Sequence, residues 1–463
     1  MTDLTVESTA REMAAAVRAR RISARELLDL HLARIEERNP DLNAIVSLDP
    51  DRAREGARAA DDHLARGGPV GALHGLPFAV KDTHAVAGWR TTYGSPLFAD
   101  HVPDTDDLIV ERVRRAGVVL VGKTNVPEFA AGSHTFNTVF GTTYNPVDPS
   151  RSAGGSSGGA AAALAAGMVP LADGSDMGGS LRNPASFCGV VGLRPSLGRV
   201  PEWPHPNLWE TTSVGGPLAR NVGDLALLLS VLAGPDPRSP HALGDPGSVF
   251  AGPLSGSLRG LRVAWSLDLG GAFEVDAEVA RVTEEAGRLM ARNGARTFAA
   301  WPELEHADET FRTLRAWHFQ ARYGALLREH PGAFKRSLAD NIRAGEPLTG
   351  ADVARAYERR SELSQVMRRF FADYDVLMMP VSQVPPFPAD QEFPTEINGR
   401  PLGSYLDWMR SAYFITVTGC PAISVPAGTT STGLPVGVQL VAPHGADRRL
   451  LEIAAAFEAA RQG

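Results

Sequence analysis

The sequence predicts an α/β fold, with a mixed β-sheet core covered by helices on both faces. Short apolar runs bounded by glycine and proline recur along the chain and have the length of strands. Stretches with helical periodicity lie between them, and this alternation is typical of layered α/β sheets. There is no internal repeat and no second compositional regime, so we expect one large domain over residues 1–463.

Residues 1–65 are expected to form two or three helices. Thr9 with Glu12 and Ser23 with Glu26 each match the capping box that opens a helix. Apolar residues follow the second box at helical spacing. These N-terminal helices precede the first apolar run of strand type.

Residues 66–232 alternate between the two patterns and are predicted to hold the catalytic core. Strands are expected at 76–80, 118–122 and 169–173, and helices at 106–116 and 159–167. Residues 233–375 are predicted to be a mostly helical excursion that covers a substrate pocket. It begins with a Pro, Gly and Ser-rich stretch at 234–257 and a strand at 262–267, and continues with helices at 279–290, 309–330 and 351–372.

Residues 376–463 are expected to return to the core sheet. Strand-like runs lie at 376–381, 422–428 and 436–441, and a closing helix begins near residue 446.

Composition excludes several classes of protein. With 43% hydrophobic residues, 21% charged residues and a net charge of −7, the chain is typical of a globular protein and has no basic surface for nucleic acid. Cys188 and Cys420 have neither disulfide-framework nor zinc-site spacing, so both are expected to be small buried hydrophobes. No secretory signal and no membrane-length apolar run is recognisable, which predicts a soluble, cytoplasmic protein without a membrane partner.

Two motifs suggest chemistry that their surroundings do not support. GVVLVGKT, residues 117–124, matches the phosphate-binding pattern GxxxxGK[ST], but its variable positions are strand residues where a phosphate loop is required. Nucleotide binding is therefore disfavoured, and Lys123 is expected to be structural. GGSSGG, residues 154–159, matches the GxSxG nucleophile elbow, but the upstream segment 145–153 holds two prolines and no apolar strand.

Lysine is rare in this chain, since only Lys81, Lys123 and Lys335 occur among the 46 basic residues. A position that keeps lysine can need a group that loses its proton, which arginine does not do. Lys81 ends the apolar run 76–80, so it emerges from a buried strand and burial would favour its neutral form. The alternative is a surface ion pair with the adjacent Asp82.

Ser180 follows a short glycine-containing stretch just before an expected helix start. The backbone N–H groups of Met177, Gly178, Gly179 and Ser180 are consecutive there, and donors arranged like this can stabilise an acyl-transfer oxyanion. Such a serine needs a base, and a lysine can fill that role when a second hydroxyl relays the proton. GGSSGG offers hydroxyls for the relay.

Three blocks closely resemble the amidase signature family of serine hydrolases, which use a Ser-cisSer-Lys triad. They are GLPFAVKD (75–82), SAGGSSGGAAAALAAGMVPLADGSDMGGSLRNPASFCGVVGLRPS (152–196) and GCPAISVPAGTTSTGLPVGVQLVAP (419–443). The similarity runs through most of residues 10–230 and again from about residue 375 to 460, while the middle is weakly matched.

The resemblance implies Ser180 as nucleophile, Ser156 as the bridging serine behind a cis peptide bond, and Lys81 as the base. It further implies an oxyanion hole from the N–H groups of residues 177–180, a carboxamide substrate and no metal or organic cofactor. Many family members have threonine where this chain has Met177, a difference that bears on the pocket's shape. The alternative within the family is a transamidation subunit that feeds ammonia from glutamine to a partner complex.

Substrate-binding candidates are Gly155, Trp203, Trp209 and Trp317. The tryptophans would supply apolar walls and favour an apolar or aromatic acyl group, although each is equally compatible with a core or surface position. The expected partners are a small-molecule amide and a second copy of the chain in a homodimer.

Overall fold

A large mixed sheet forms the centre of the computed structural model, which describes residues 4–462. The strands in those residues are β1 (Ile45–Val46), β2 (Pro77–Lys81), β3 (Val119–Thr124), β4 (Phe136–Asn137), β5 (Gly141–Thr142), β6 (Leu171–Asp176), β7 (Val191–Arg194), β8 (Val214–Ala219), β9 (Arg262–Trp265), β10 (Arg296–Ala299), β11 (Val376–Pro380), β12 (Glu396–Ile397), β13 (Arg400–Pro401), β14 (Ala422–Thr429) and β15 (Pro435–Val441).

The helices between them agree with the predicted α/β alternation. Within residues 4–462 they are α1 (Ala10–Arg18), α2 (Ala24–Leu42), α3 (Pro50–Ala65), α4 (Leu108–Arg115), α5 (Gly158–Ala165), α6 (Arg182–Cys188), α7 (Val222–Leu232), α8 (Ala277–Arg292), α9 (Ala307–Glu329), α10 (Arg336–Arg343), α11 (Gly350–Asp373), α12 (Arg410–Thr418) and α13 (Asp447–Gln462). Thr9 and Ser23 cap α1 and α2, and both predicted capping boxes are present.

Eleven strands form the main sheet, in the order β1-β3-β2-β6-β8-β7-β14-β15-β11-β9-β10. β2 runs parallel to β3 and β6, and β9 runs parallel to β10 and β11. The other neighbours are antiparallel, so the sheet is mixed as predicted. β9 and β10 come from the middle segment, which therefore extends the sheet in addition to supplying helices.

Both faces of the sheet are buried beneath helices. On β2, Phe78 and Val80 belong to a hydrophobic cluster that includes α4, α7 and α13, whereas Ala79 belongs to a second cluster with α5. Alternate residues of a strand point to opposite faces, so these two clusters lie on opposite sides of the sheet. The same alternation holds on β11, where Leu377 packs on the face of α9 and α12 and Met378 packs on the other.

The parallel pair β2 and β6 positions the site. Successive parallel strands place their carboxyl ends at one edge of the sheet, where connecting loops commonly form binding sites. Lys81 ends β2 and Asp176 ends β6, and α5 packs against both strands. The loop after β6 leads to α6 and carries Ser180.

The remaining expectations about burial are met. Cys188 and Cys420 are buried free thiols. In the described part of the chain, no helix combines the length and the apolarity needed to cross a membrane.

Candidate active site

Lys81 ends β2 with its side chain fully buried among three hydroxyl groups. Its Nζ lies 2.8 Å from Oγ of Ser156, 2.8 Å from Oγ of Ser157 and 3.0 Å from Oγ of Ser175. Lys81 is thus no partner in a surface ion pair. The adjacent Asp82 lies instead 3.9 Å from the buried Nζ of Lys123.

Burial lowers the pKa of Lys81 to about 7, and the charges of Asp173 and Asp176 act in the opposite direction. The direction follows from physics, because removing an ammonium group from water disfavours the charged form. A large fraction of Lys81 is therefore neutral near pH 7. A neutral amine has a free lone pair and can accept a proton.

Ser156 and Ser157 sit just before α5, and both are fully buried. The peptide bond between Gly155 and Ser156 is cis, as the resemblance implies. The carbonyl of Gly155 accepts a hydrogen bond from the Ser133 hydroxyl at 2.6 Å, which fixes the segment. Gly155 itself packs against the backbone of residues 133 and 134, and a side chain there would lie 2.9 Å from N of His134.

Ser180 lies in the loop between β6 and α6 and keeps 8% of its surface exposed. Its carbonyl accepts the N–H of Ser157 at 3.2 Å, so the two serine segments are directly joined. Ser156 and Ser180 both line the same cavity. The fold therefore brings together the three residues that sequence analysis singled out across 100 positions.

A buried carboxylate organises the loop that carries Ser180. Asp176 accepts the N–H of Gly179 at 2.9 Å and the N–H of Leu181 at 3.1 Å. It also pairs with Arg182 at 2.9 Å and Arg194 at 3.5 Å. Burial by itself raises the pKa of Asp176, but the two guanidinium groups hold it well below its usual range. The loop is thus anchored by a charge that stays ionised.

The predicted oxyanion donors differ in their engagement. The N–H of Gly179 is committed to Asp176, so the sequence pattern assigned one donor too many. Gly179 has a φ of +110°, and a side chain there would lie 2.6 Å from Nδ2 of Asn183 and 2.7 Å from Cβ of Ala412. Only glycine fits this turn. Met177 and Ser180 line the cavity.

A cavity of about 910 Å³ opens at the serines. One part of its wall is aromatic, formed by Tyr93, Phe129, Phe319 and Tyr323. Phe129 and Tyr323 are in contact, with ring centroids 4.6 Å apart. Titratable side chains also reach the cavity, among them His84, Asp107, Glu202, Arg315 and His318.

The tryptophans predicted to line the pocket divide. Trp203 lines the cavity, and Arg238 stacks on its ring at 4.4 Å. Trp209 lies outside the wall, 67% exposed and in edge contact with His241. Trp317 is half-buried on α9 and contacts Tyr357, because the cavity-facing side of that helix is set by Arg315 and Phe319 instead.

Comparison with known proteins agrees with the geometry. The model of the amidase family matches residues 26–451. The chain belongs to the amidase family. An acylamidase of Rhodococcus erythropolis is 38% identical over 456 residues, which cover 98% of this chain and 95% of that protein. Amide hydrolysis is accordingly the activity of this amidase.

Two further relatives bracket the family. A glutamyl-tRNA(Gln) amidotransferase subunit of Synechococcus sp. is 36% identical over 466 residues and is covered to 94%, with 95% of this chain aligned. The crystal structure of a bacterial aryl acylamidase of the amidase signature family superposes with a TM-score of 0.91 at 31% identity, over 98% of this amidase and 96% of that chain.

Lys123 of the amidase is structural, as the sequence predicts. It lies within β3, where its Nζ donates to the carbonyl of His84 at 2.5 Å and to Oγ1 of Thr91 at 3.0 Å. The residues of GVVLVGKT from Val119 onward are thus a strand and form no phosphate loop. The segment before Ser156 likewise holds only isolated bridges and no strand, so the nucleophile-elbow alternative fails.

Sequence reasoning missed the second ring of polar groups. Asp173 accepts the backbone N–H of Lys81 at 3.0 Å through Oδ1, and its Oδ2 lies 2.5 Å from Nδ1 of the cavity-lining His84. Ser157 and Ser175 complete the surroundings of Nζ. Ser175 precedes the end of β6, and its position beside Lys81 follows only from the parallel pairing of β2 with β6.

Proposed function

We propose that the amidase cleaves a carboxamide C–N bond through an acyl-enzyme on Ser180, with Ser156 and Lys81 as the proton relay. The observation that carries the proposal is the buried Nζ of Lys81, 2.8 Å from Oγ of Ser156, in a cavity that also holds Ser180. A base, a bridging hydroxyl and an accessible nucleophile are the parts that this chemistry requires.

The hydroxyls around Lys81 suit a neutral amine. Such an amine has two N–H groups and one lone pair. It donates to Ser157 and Ser175 and accepts the O–H of Ser156, which uses all three contacts at 2.8 to 3.0 Å. In this arrangement Ser157 and Ser175 aim the lone pair at Ser156. They act as positioning residues.

The reaction follows from these roles. Lys81 takes the proton of Ser156, which takes that of Ser180, and the Ser180 oxygen attacks the carbonyl carbon. The backbone N–H groups of Met177, Gly178 and Ser180 stabilise the oxyanion. The C–N bond then breaks, the amine leaves with a proton returned along the relay, and water hydrolyses the ester by the same path to a carboxylate.

Covalent labelling tests the nucleophile directly. The wild type is expected to react with a fluorophosphonate at Ser180, and Ser180→Ala is expected to lose both labelling and turnover. Labelling retained on another serine in Ser180→Ala would contradict the assignment. Ser156 and Ser157 provide a matched pair, because each hydroxyl lies 2.8 Å from the same amine but only Ser156 lines the cavity. Ser156→Ala should therefore lose more activity than Ser157→Ala.

The runner-up is a transamidation subunit, since a glutamyl-tRNA(Gln) amidotransferase subunit shares 36% identity. A stand-alone hydrolase is favoured because residues 300–375 carry no segment recognisable for that role. Glutaminase activity stimulated by copurifying proteins would reverse this preference, whereas turnover of simple amides by the purified chain supports the hydrolase.

The aromatic wall of Tyr93, Phe129, Phe319 and Tyr323 supports the expected apolar or aromatic acyl group. A panel of aliphatic, aryl, peptide and carbamate amides tests it. The homodimer and the cytoplasmic location stay predictions, to be measured by light scattering and by cell fractionation.

A further inference from the structure

Helix α9 presents one face to the active-site cavity. Arg315, His318, Phe319, Arg322 and Tyr323 all line it, at the spacing of three and four residues that marks one side of a helix. Arg315 is the deepest cation on this face, with 5% of its surface exposed. It lies beside the loop of Ser180, because its Nη1 is 3.2 Å from Sδ of Met177.

The guanidinium of Arg315 has only neutral partners. Nε donates to Oδ1 of Asn341 at 3.2 Å, Nη2 donates to the hydroxyl of Tyr405 at 2.7 Å, and the thioether of Met177 is a weak acceptor. Since a guanidinium carries five N–H groups, two remain for a further acceptor. The plane is held by stacking on Phe319, with the guanidinium carbon 4.1 Å from the ring centroid.

Other buried arginines of this chain are paired with carboxylates. Within residues 4–462 the buried arginines are Arg182, Arg194, Arg199 and Arg315. Arg182 and Arg194 pair with Asp176, and Arg199 pairs with Asp447. Buried charges are normally compensated in this way, because removing an ion from water costs several kcal/mol. Arg315 is the exception in the described residues, and it lines the cavity.

We propose that Arg315 binds a carboxylate carried by the substrate, so that the preferred substrates are amides with a carboxylate near the scissile bond. A planar guanidinium with two free N–H groups matches the two oxygens of a carboxylate. The inference rests on the proposed Ser180 chemistry, since it assigns a binding role within the same cavity. The carboxylate belongs either to the acyl group or to the amine.

The acids of the cavity do not cancel this charge. Asp107 caps α4 and accepts the N–H of Ala85 at 3.0 Å, while Glu202 accepts the N–H of Gly215 at 2.9 Å. Burial raises the pKa of Asp107, and burial with the charge of Glu210 raises the pKa of Glu202 to about 8. Glu202 is therefore largely protonated near pH 7.

Two substrate pairs test the proposal and separate the two sources of the carboxylate. The acyl-side pair is the mono-4-nitroanilide of succinic acid against the 4-nitroanilide of butyric acid. The amine-side pair is 4-acetamidobenzoate against 4-acetamidobenzamide. In one pair Arg315→Gln should lower kcat/KM for the carboxylate by about 10- to 100-fold, as expected for a hydrogen bond to a charged group, and change the neutral partner by less than about 3-fold.

Arg328→Gln is the matched control, an exposed arginine on the same helix outside the cavity wall. Arg315→Lys keeps the charge without the fork and should give an intermediate loss, which serves if Arg315→Gln does not fold. Equal losses on both members of each pair would show a structural role through Met177 and overturn the proposal, as would a wild-type preference for the neutral amide in both pairs. Ser180→Ala, assayed on the neutral amides, reports separately on the proposed function.

Discussion

Nζ of Lys81 lies 2.8 Å from Oγ of Ser156, and both side chains are fully excluded from solvent. At this position a positive charge is costly and a lone pair is useful. The relationship therefore separates two properties that lysine and arginine usually share, charge and length, from the one that only lysine has, the ability to become neutral.

Lys81→Arg should be as damaging as Lys81→Ala. Loss of a general base typically lowers the rate by about 10²- to 10⁴-fold, and an arginine that stays charged cannot replace it. The measurement is kcat/KM on a neutral anilide, with circular dichroism as the check on folding. Lys335→Arg is the control, because Lys335 Nζ donates to the carbonyl of Ala131 and needs only its positive charge. Substantial activity in Lys81→Arg would remove Lys81 from the role of base.

The activity should rise with pH around neutrality. Burial lowers the pKa of Lys81 to about 7, so the amine is protonated and inactive below that pH and neutral above it. kcat/KM reports the free enzyme and should climb between about pH 6 and pH 8 to a plateau. Asp173→Asn removes a charge that raises this pKa, so it should move the rising limb to lower pH. The rate of fluorophosphonate labelling gives a second profile, and flat profiles in both would contradict the assignment.

The strands that the sequence predicts are those bounded by strong local signals. β2, β3 and β14 have apolar runs between glycine and proline, and their observed bounds differ from the predicted ones by one or two residues. β7 and β8 were missed because glycine and proline interrupt their apolar pattern, and α7 was missed because it is apolar on all sides and shows no periodicity. Burial on every face removes the alternation that sequence analysis relies on.

The candidate triad was predictable because its motifs are long, whereas its supporting contacts were not. Asp173 meets His84 across 89 positions and Arg315 meets Met177 across 138, so these contacts exist only after the sheet has formed. The tryptophans failed as guides for a related reason. Residue type predicts a large apolar surface, but the register of α9 and the path of the 202–213 loop decide whether it faces the cavity.

Asp176→Asn should destabilise the fold strongly. Arg182 and Arg194 would both be left buried without their carboxylate, and breaking a buried pair in this way costs about 3 to 5 kcal/mol. The free energy of unfolding from urea titration measures this. Asp340→Asn is the matched control, since its pair with Arg343 is exposed on both sides and should cost less than about 1 kcal/mol. Similar costs for the two variants would mean that the buried cluster is not the anchor of the Ser180 loop.

Gly159→Ala should also destabilise the fold, through close packing of backbone against backbone. Gly159 lies in the first turn of α5, where an added Cβ would be 2.6 Å from the carbonyl oxygen of Ala44 and 2.7 Å from that of Asn125. Neither atom belongs to a flexible side chain, so α5 would have to move away from β1 and from the residue after β3. Such overpacking costs about 1 to 3 kcal/mol or more, and the shift would carry Ser156 and Ser157 away from Lys81.

The control for this substitution is Gly350→Ala, at the first position of α11, where an added Cβ meets nothing within 4 Å. It should be neutral or stabilise by up to about 1 kcal/mol, since alanine restricts the unfolded chain and favours helix. Urea unfolding measures the stability of both variants, and the rate of fluorophosphonate labelling reports the displacement at the site. A Gly159→Ala variant with wild-type stability but slow labelling would contradict the packing argument, because the displacement of α5 is expected to lower both together.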